Sequence, residues 1–263
     1  MLGTAAPAEK VALSAAAAEA WRSGAIGEIG RTPPPDRPAR PDRPALLAPG
    51  AMPKRRAGGA RAARIALLHA LAHIELNAID LAWDIIARFA APELPRAFYD
   101  DWVGVAAEEA KHHALIAERL AALGALYGDL PAHDGLWQAA AATAEDLLAR
   151  LAVVPLVLEA RGLDVSPAMI ERFERAGDAA SAAVLRIVYG DEIGHVAVGR
   201  RWFERLCAER GVSPAATYQS LVRRHFKGAL KPPFNRAGRE AAGFGAAFYE
   251  PLAADGGRPR ERP

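Results

Sequence analysis

Apolar residues recur at helical spacing along most of this chain, and several stretches hold the pattern for many turns. Residues 59–90 (GARAARIALLHALAHIELNAIDLAWDIIARFA) contain no breaker and predict one long helix, ended by Pro92 and Pro95. Residues 96–124 predict a second, closed by Gly124 as a C-cap. Residues 135–161 read as a third, kinked by Pro155, which removes a backbone donor and crowds the preceding turn. Gly162 and then Asp164-Val165-Ser166-Pro167 read as a stop and a new N-cap, with proline at the first helical position. A short helix over 167–176 then leads to a fourth long one, 178–210. Shorter helices are expected over 9–23 and 213–226.

Polar residues interrupt this pattern where a core position is expected. Glu75 shares a helix face with Leu68, Leu71, Ala72, Ala78, Ile79 and Ala82, so its carboxylate points inward. A lone buried carboxylate is costly and needs a partner or an ion. Glu109 and His112 lie one turn apart on one face, and Glu192 and His195 repeat the arrangement. Glu75 precedes Glu109 by 34 residues and Glu159 precedes Glu192 by 33. The chain therefore carries Glu…Glu-x-x-His twice at nearly equal spacing. Two antiparallel hairpins with this spacing bring four carboxylates and two imidazoles to one level of a four-helix bundle.

That donor set suits two divalent cations. Four carboxylates balance their charge, whereas an empty site is strongly repulsive in a low-dielectric core. Oxygen ligands with imidazole favour iron; manganese, or a mixed manganese–iron pair, is the alternative. The acid before each motif, Glu108 or Asp191, is placed to accept the second ring N–H of a histidine. The expected pairing crosses the hairpins: Asp191 with His112, and Glu108 with His195. His73 points about 200° away from Glu75 around the helix, and His113 about 100° from His112, so neither is expected to be a ligand; His69 is likewise read as packed.

Composition narrows the remaining classes. Hydrophobic residues make up 51% of the 263 and aromatics only 7%, with alanine dominant, which favours close-packed helices over strands. The single cysteine, Cys207, excludes an internal disulfide and cysteine-based zinc or iron–sulfur sites. With 33 basic and 31 acidic residues, bulk charge does not argue for nucleic acid. No uncharged apolar run of membrane-spanning length is present and the N-terminus makes a poor signal peptide, so a cytoplasmic protein with no membrane partner is expected. The segment 31–56 holds repeated Asp-Arg-Pro units and must be extended. It is read as an arm that wraps the helices rather than a plain linker, held by arginine–carboxylate pairs and by burial of Leu46, Leu47 and Met52; Asp80 and Asp84 are read either as acceptors for its arginines or as part of a solvated face. The chain thus divides into an N-terminal helix and Pro/Arg-rich arm (1–56), a helical body (57–226) and a Gly/Pro-rich tail (227–263). The tail's Phe234, Phe244, Phe248 and Tyr249 pack on the body, and its last ten residues are expected to be disordered.

The runs HALAHIELNAIDLAWD, EEAKHH, VVPLVLEARGLDVSP and DEIGHVAVGRRWF, with the Pro/Arg arm and PPFNRAGREAAGF, resemble the DUF455 family of ferritin-like bacterial proteins. The resemblance covers most of the chain and implies an all-α, ferritin-like bundle. It brings no established reaction. The reading taken from the residues is a di-iron oxidoreductase with Glu75, Glu109, His112, Glu159, Glu192 and His195 as ligands. Its partners would be O₂ or peroxide, an unidentified small-molecule substrate and an external electron donor; a homodimer is compatible with it. Alternatives are iron binding or storage without an organic substrate, manganese catalase-like peroxide removal, and hydroxylation of tRNA, although nucleic acid is disfavoured as a partner.

Overall fold

The computed structural model describes residues 1–48, 51–52 and 61–253. Among these the chain is all-α, with two isolated bridges, Leu46 to Ala132 and Leu230 to Ala253, as its only β-type pairings. The helices are α1 (Pro7–Arg22), α2 (Arg61–Arg88), α3 (Arg96–Ala122), α4 (Gly135–Ala141) and α5 (Leu147–Val153). A π-helical segment (Val154–Glu159) joins α5 to α6 (Ala160–Arg175). Then come α7 (Ala179–Glu209), α8 (Pro214–His225), α9 (Arg236–Ala241), α10 (Ala246–Tyr249) and a 3₁₀ turn (Glu250–Leu252). The final residues expected to be disordered, 254–263, lie outside the described residues, as does part of the arm.

Two hairpins make the body. α2 packs along α3, α6 along α7, and α3 faces α7; α1 lies across α3. Gly124, at φ +66°, follows the end of α3 in the left-handed conformation that glycine supplies without a Cβ penalty. Two apolar clusters fill the interior. One holds Phe98, Tyr99, Trp102, Leu151 and Phe203; the other holds Leu68, Ile116, Leu120 and Leu185. On α2 the boundary between them falls between Ala72 and Leu76, on α3 between Ala110 and Ile116, and on α7 between Val188 and Val196. Glu75, His112, Glu192 and His195 occupy that boundary, so a polar layer separates the two apolar clusters.

The expected helix over 135–161 is not one element. α4 ends at Ala141, and α5 starts at Leu147, capped by Asp146, which accepts from the Leu148 N–H at 2.9 Å. No glycine or proline marks this break. It is held by tertiary bonds: the fully buried Arg150 donates to Thr143 Oγ1 at 2.9 Å and to the Ala140 carbonyl at 2.8 Å. Pro155 does disturb the helix, through a π turn: the Ala160 N–H reaches back five residues to the Pro155 carbonyl.

Nor does the chain stop at Gly162. α6 runs through Asp164-Val165-Ser166-Pro167 with the proline in its interior. Pro167 leaves the Leu163 carbonyl without its helical donor. Asn235 of the tail supplies one, its Nδ2 donating to that carbonyl at 3.0 Å. Asp164 is tied to the same part of the tail: it pairs with the buried Arg239 at 2.7 Å and accepts from the Asn235 N–H at 2.9 Å. A helix that is locally unfavourable is therefore completed by residues about 70 positions away.

The arm is fastened by charge. Asp80, fully buried, takes Lys10 of α1 at 2.5 Å on one oxygen and Arg40 of the arm on the other. Arg40 also donates to Asn77 Oδ1 at 2.5 Å. Leu46 is 41% exposed, so burial of this residue does not hold the arm. Among the described residues Asp84 binds no arm arginine; its partners are Arg88 and Arg150, and Arg88 donates to the Pro35 carbonyl of the arm at 3.1 Å. α2 is long and apolar enough to cross a membrane by length and composition, but 72% of its most apolar window is buried inside the protein.

Gly199 of α7 approaches the π segment closely. A Cβ there would lie 2.4 Å from Pro155 Cβ and 2.5 Å from its Cγ, and the pyrrolidine ring cannot swing away. Glycine-to-alanine in a helix interior ordinarily gains up to about 1 kcal/mol. Here Gly199→Ala is expected to lose about 1–2 kcal/mol through overpacking. Urea unfolding of the variant reads this directly, and a gain in stability would show that the contact is loose.

Candidate metal centre

The polar layer is built by four segments. Glu75 comes from the middle of α2, Glu109 and His112 from α3, Glu159 from the end of the π segment, and Glu192 and His195 from α7. The structure brings all six together. Glu75, Glu109, His112 and Glu192 offer ligand atoms within 4.8 Å of one another; so do Glu159, Glu192 and His195. Glu192 belongs to both groups. Glu109 joins them too: its Oε1 is 3.0 Å from His195 Nδ1 and its Oε2 is 3.4 Å from His112 Nδ1. The two residues leading the Glu-x-x-His pairs thus stand between two positions, with Glu75 on one side and Glu159 on the other. The π turn has a local role here, because it sets the rotation at which Glu159 leaves its helix.

Both imidazoles are oriented from outside. His112 Nε2 donates to Asp191 Oδ2 at 2.9 Å, and His195 Nε2 donates to Glu108 Oε2 at 2.8 Å. Carboxylates can only accept, so each bond fixes the N–H on Nε2 and turns the Nδ1 lone pair inward. Lys111, which the motif spacing did not single out, also donates to Asp191 Oδ2, at 2.5 Å. It lies beside the acid of the other motif only because α3 and α7 face each other, so no spacing rule along the sequence could have found it.

Inside the layer the geometry is frustrated. Seven buried atoms have no hydrogen-bond partner: Glu75 Oε2, both Glu109 oxygens, His112 Nδ1, Glu159 Oε2, Glu192 Oε2 and His195 Nδ1. Each of the six residues contributes at least one. Acceptors facing acceptors at such distances need protons or cations between them. Protons are one answer. Burial, and then the charge of Glu109, pushes the Glu75 carboxyl well above the usual range; burial, and then Glu192, does the same to Glu159. Burial lowers the His112 imidazole, but its polar contacts with Glu109 and Glu75 carry it up to about 11. Burial also lowers His195, and the Glu109 charge carries it well above its ordinary value. Metal ions are the other answer, and binding them displaces these protons. The residues present therefore fit a metal centre: hard oxygen donors, inward-facing imidazole nitrogens, and charge that only a cation or added protons can relieve.

The remaining histidines of α2 and α3 are used elsewhere. His69 Nε2 accepts from the Gly128 N–H at 2.9 Å, His73 bonds Tyr127 and the His133 carbonyl, and His113 Nδ1 donates to the Ala72 carbonyl at 2.9 Å. His69 and His73 hold the 125–134 loop against α2.

Asp191→Ala and Glu108→Ala test the orientation of the two rings. Each is expected to weaken metal binding by about 10–100-fold. Both acids are partly exposed, so metal-free stability should change by no more than about 0.5 kcal/mol. Competition against a chelator measures the first effect and urea unfolding the second. Unchanged affinity in both variants would remove the two acids from the account.

Across the cluster from the histidines lies a cavity of about 470 Å³, the size of a small-molecule site. Glu75, Glu109, Glu159 and Glu192 line it, and neither His112 nor His195 does. Apolar side chains make up most of its wall, including Leu71, Leu81, Ile116, Val157 and Leu185.

An uncharacterised protein of Haemophilus influenzae is 43% identical over 206 residues, covering 76% of this chain and 71% of that relative. No solved structure matches the chain. Residues 3–250 match a family described as proteins of unknown function, DUF455. Nearly the whole described chain lies within that match, including every residue of the cluster, and the protein therefore belongs to the DUF455 family.

Proposed function

We propose that this protein is a ferritin-like, dinuclear-metal oxidoreductase that uses O₂ to oxidise or hydroxylate a small organic substrate, with iron as the favoured metal. The observation that carries the reading is the set of seven unpartnered buried atoms on Glu75, Glu109, His112, Glu159, Glu192 and His195. A glutamate from each of two helices with a Glu-x-x-His from each of two others is the donor set of dinuclear carboxylate centres in helical bundles. Iron held there would supply the valence change needed to reduce O₂.

The chain's own residues provide the rest. Glu109 and Glu192 stand between the two ligand groups and would be shared by ions held there, with Glu75 and His112 on one side and Glu159 and His195 on the other. Asp191 and Glu108 hold the imidazoles in the tautomer that presents Nδ1. The four carboxylates face the cavity, so an incoming molecule meets the cluster on that side, and apolar walls keep water scarce beside it. The size and apolar character of this space support an organic substrate over peroxide or mineral iron. In hydroxylation, one oxygen atom of O₂ enters a C–H bond and the other leaves as water. The two electrons and two protons this requires come from an external reductant. Cys207, the chain's sole cysteine, is buried and cannot form a cysteine-ligated electron-transfer centre alone.

The test compares metals and substrates on the full chain. Fe(II)-loaded protein in air with a chemical reductant is expected to consume O₂, while holding no more than about two irons per chain. Continued iron uptake far past that ratio would establish storage instead. Peroxide disproportionation by the manganese-loaded form, with no O₂ uptake by the iron form, would establish the catalase-like alternative.

A further inference from the structure

The cavity is not uniformly apolar. Apart from the four cluster carboxylates, its lining includes four cations, Arg161, Lys227, Lys231 and Arg239, and one carboxylate, Asp164. Asp164 is already committed to Arg239, which binds it through two nitrogens at 2.8 and 2.7 Å. Arg161 donates to the Lys231 carbonyl at 2.8 Å and lies 3.5 Å from Asp164. Lys227 and Lys231 are exposed, and neither ammonium has an acidic partner among the described residues. Both belong to the stretch between α8 and α9 that also places Phe226, Leu230 and Phe234 on the cavity wall. The space therefore has a carboxylate floor at the cluster, apolar walls, and a cationic segment of the tail whose two lysines have no acidic partner among the described residues.

A ligand matching this pattern has an apolar body and one anionic end. Apolar bulk fits walls formed by Leu71, Val157, Leu158 and Met169. A neutral ligand would leave the lysine pair unused, and a cationic one would be repelled by it. An anionic head cannot sit against the four carboxylates, so it must lie at the lysines, which directs the apolar body toward the cluster. From this we infer that the cavity binds an amphipathic organic anion, a carboxylate or phosphate ester with an extended apolar body, held by Lys227 and Lys231 with its apolar part presented to the metal centre. The inference rests on the proposed oxidoreductase reading for the chemistry after binding, but binding itself can be measured separately.

The experiment uses full-length, metal-loaded protein and three probes of equal chain length: dodecanoate, dodecyl phosphate and dodecanol, titrated calorimetrically below their aggregation concentrations. At least one anionic probe is expected to bind about tenfold more tightly than the alcohol, as a charge-assisted contact implies. Whichever head binds more tightly identifies the class. In K227A/K231A that advantage should disappear while the alcohol's affinity and the metal content stay unchanged. Both lysines are exposed, so the variant should fold. Equal binding of alcohol and anions by the wild type, or an advantage that survives the double substitution, overturns the inference. Metal content measured on the same samples separates the two claims. Protein with a full complement of metal and no preference for an anion sinks only the ligand assignment. Protein that binds the anion but takes up no metal sinks only the oxidoreductase reading.

Discussion

Glu109→Gln and Glu192→Gln are each expected to abolish stable binding of both metal ions, whereas Glu75→Gln and Glu159→Gln should each retain about one ion per chain. The difference comes from position. Glu192 belongs to both ligand groups, and the two oxygens of Glu109 face the two imidazoles. Glu75 and Glu159 each serve one side. Glutamine keeps the shape but removes the charge, so the fold should survive. A second effect has the opposite sign. Burial and a neighbouring carboxylate push both Glu75 and Glu159 upward, which means each is costly to keep ionised when no cation is present. Metal-free Glu75→Gln and Glu159→Gln should therefore be at least as stable as metal-free wild type. Wild type should gain about 4 kcal/mol when metal is present at about a thousand times its dissociation constant. Thermal melts with and without Fe(II), alongside metal content, give both readings. Equal metal loss in all four variants would show that no residue is shared between two positions.

Asp84→Asn is expected to cost about 3–5 kcal/mol. Arg150 is fully buried, and its guanidinium pairs with the fully buried Asp84. It also donates to Thr143 and Ala140, so it cannot withdraw without opening the turn between α4 and α5. Removing the carboxylate strands this cation in the core. The reverse change, Arg150→Met, leaves Asp84 with Arg88 at 2.8 Å on the same helix, so the expected loss is smaller, about 1–3 kcal/mol. The double variant Asp84→Asn/Arg150→Met should lose less than the two single losses combined, because the stranded charge is gone. Urea unfolding with an unchanged slope gives all three values. Simple additivity would mean that the pair does not act as a unit.

The cluster was legible in the sequence because its residues break a strong pattern. Glu75 interrupts an apolar face, and the two Glu-x-x-His pairs recur with their upstream glutamates at nearly equal spacing. α2, α3 and α7 were legible for a related reason: α2 holds neither glycine nor proline, α3 and α7 hold no proline, and their interior glycines do not interrupt the helical spacing of the apolar residues. What could not be read was decided by distant residues. The break between α4 and α5 lies in an alanine-rich stretch that favours helix, and Arg150 and Asp84 hold the turn against that preference. The run Gly162 to Pro167 signals a helix end, and Asn235 and Arg239 of the tail sustain a helix there. Local chemistry favoured the stop, and the missing donor for Leu163 came from another part of the chain. The arm was legible in part: an arginine on Asp80 was one of its two readings and Arg40 supplies it, whereas Lys10 of α1, which takes the other Asp80 oxygen, comes from a third segment that no local pattern linked to the arm.

The central claim is that the six residues hold two ions. Its most direct test is anaerobic titration of metal-free, full-length protein with Fe(II), then removal of unbound metal and analysis of iron against protein. The account predicts about two irons per chain, falling to about one in Glu75→Gln or Glu159→Gln. Fewer than two irons per wild-type chain would contradict it.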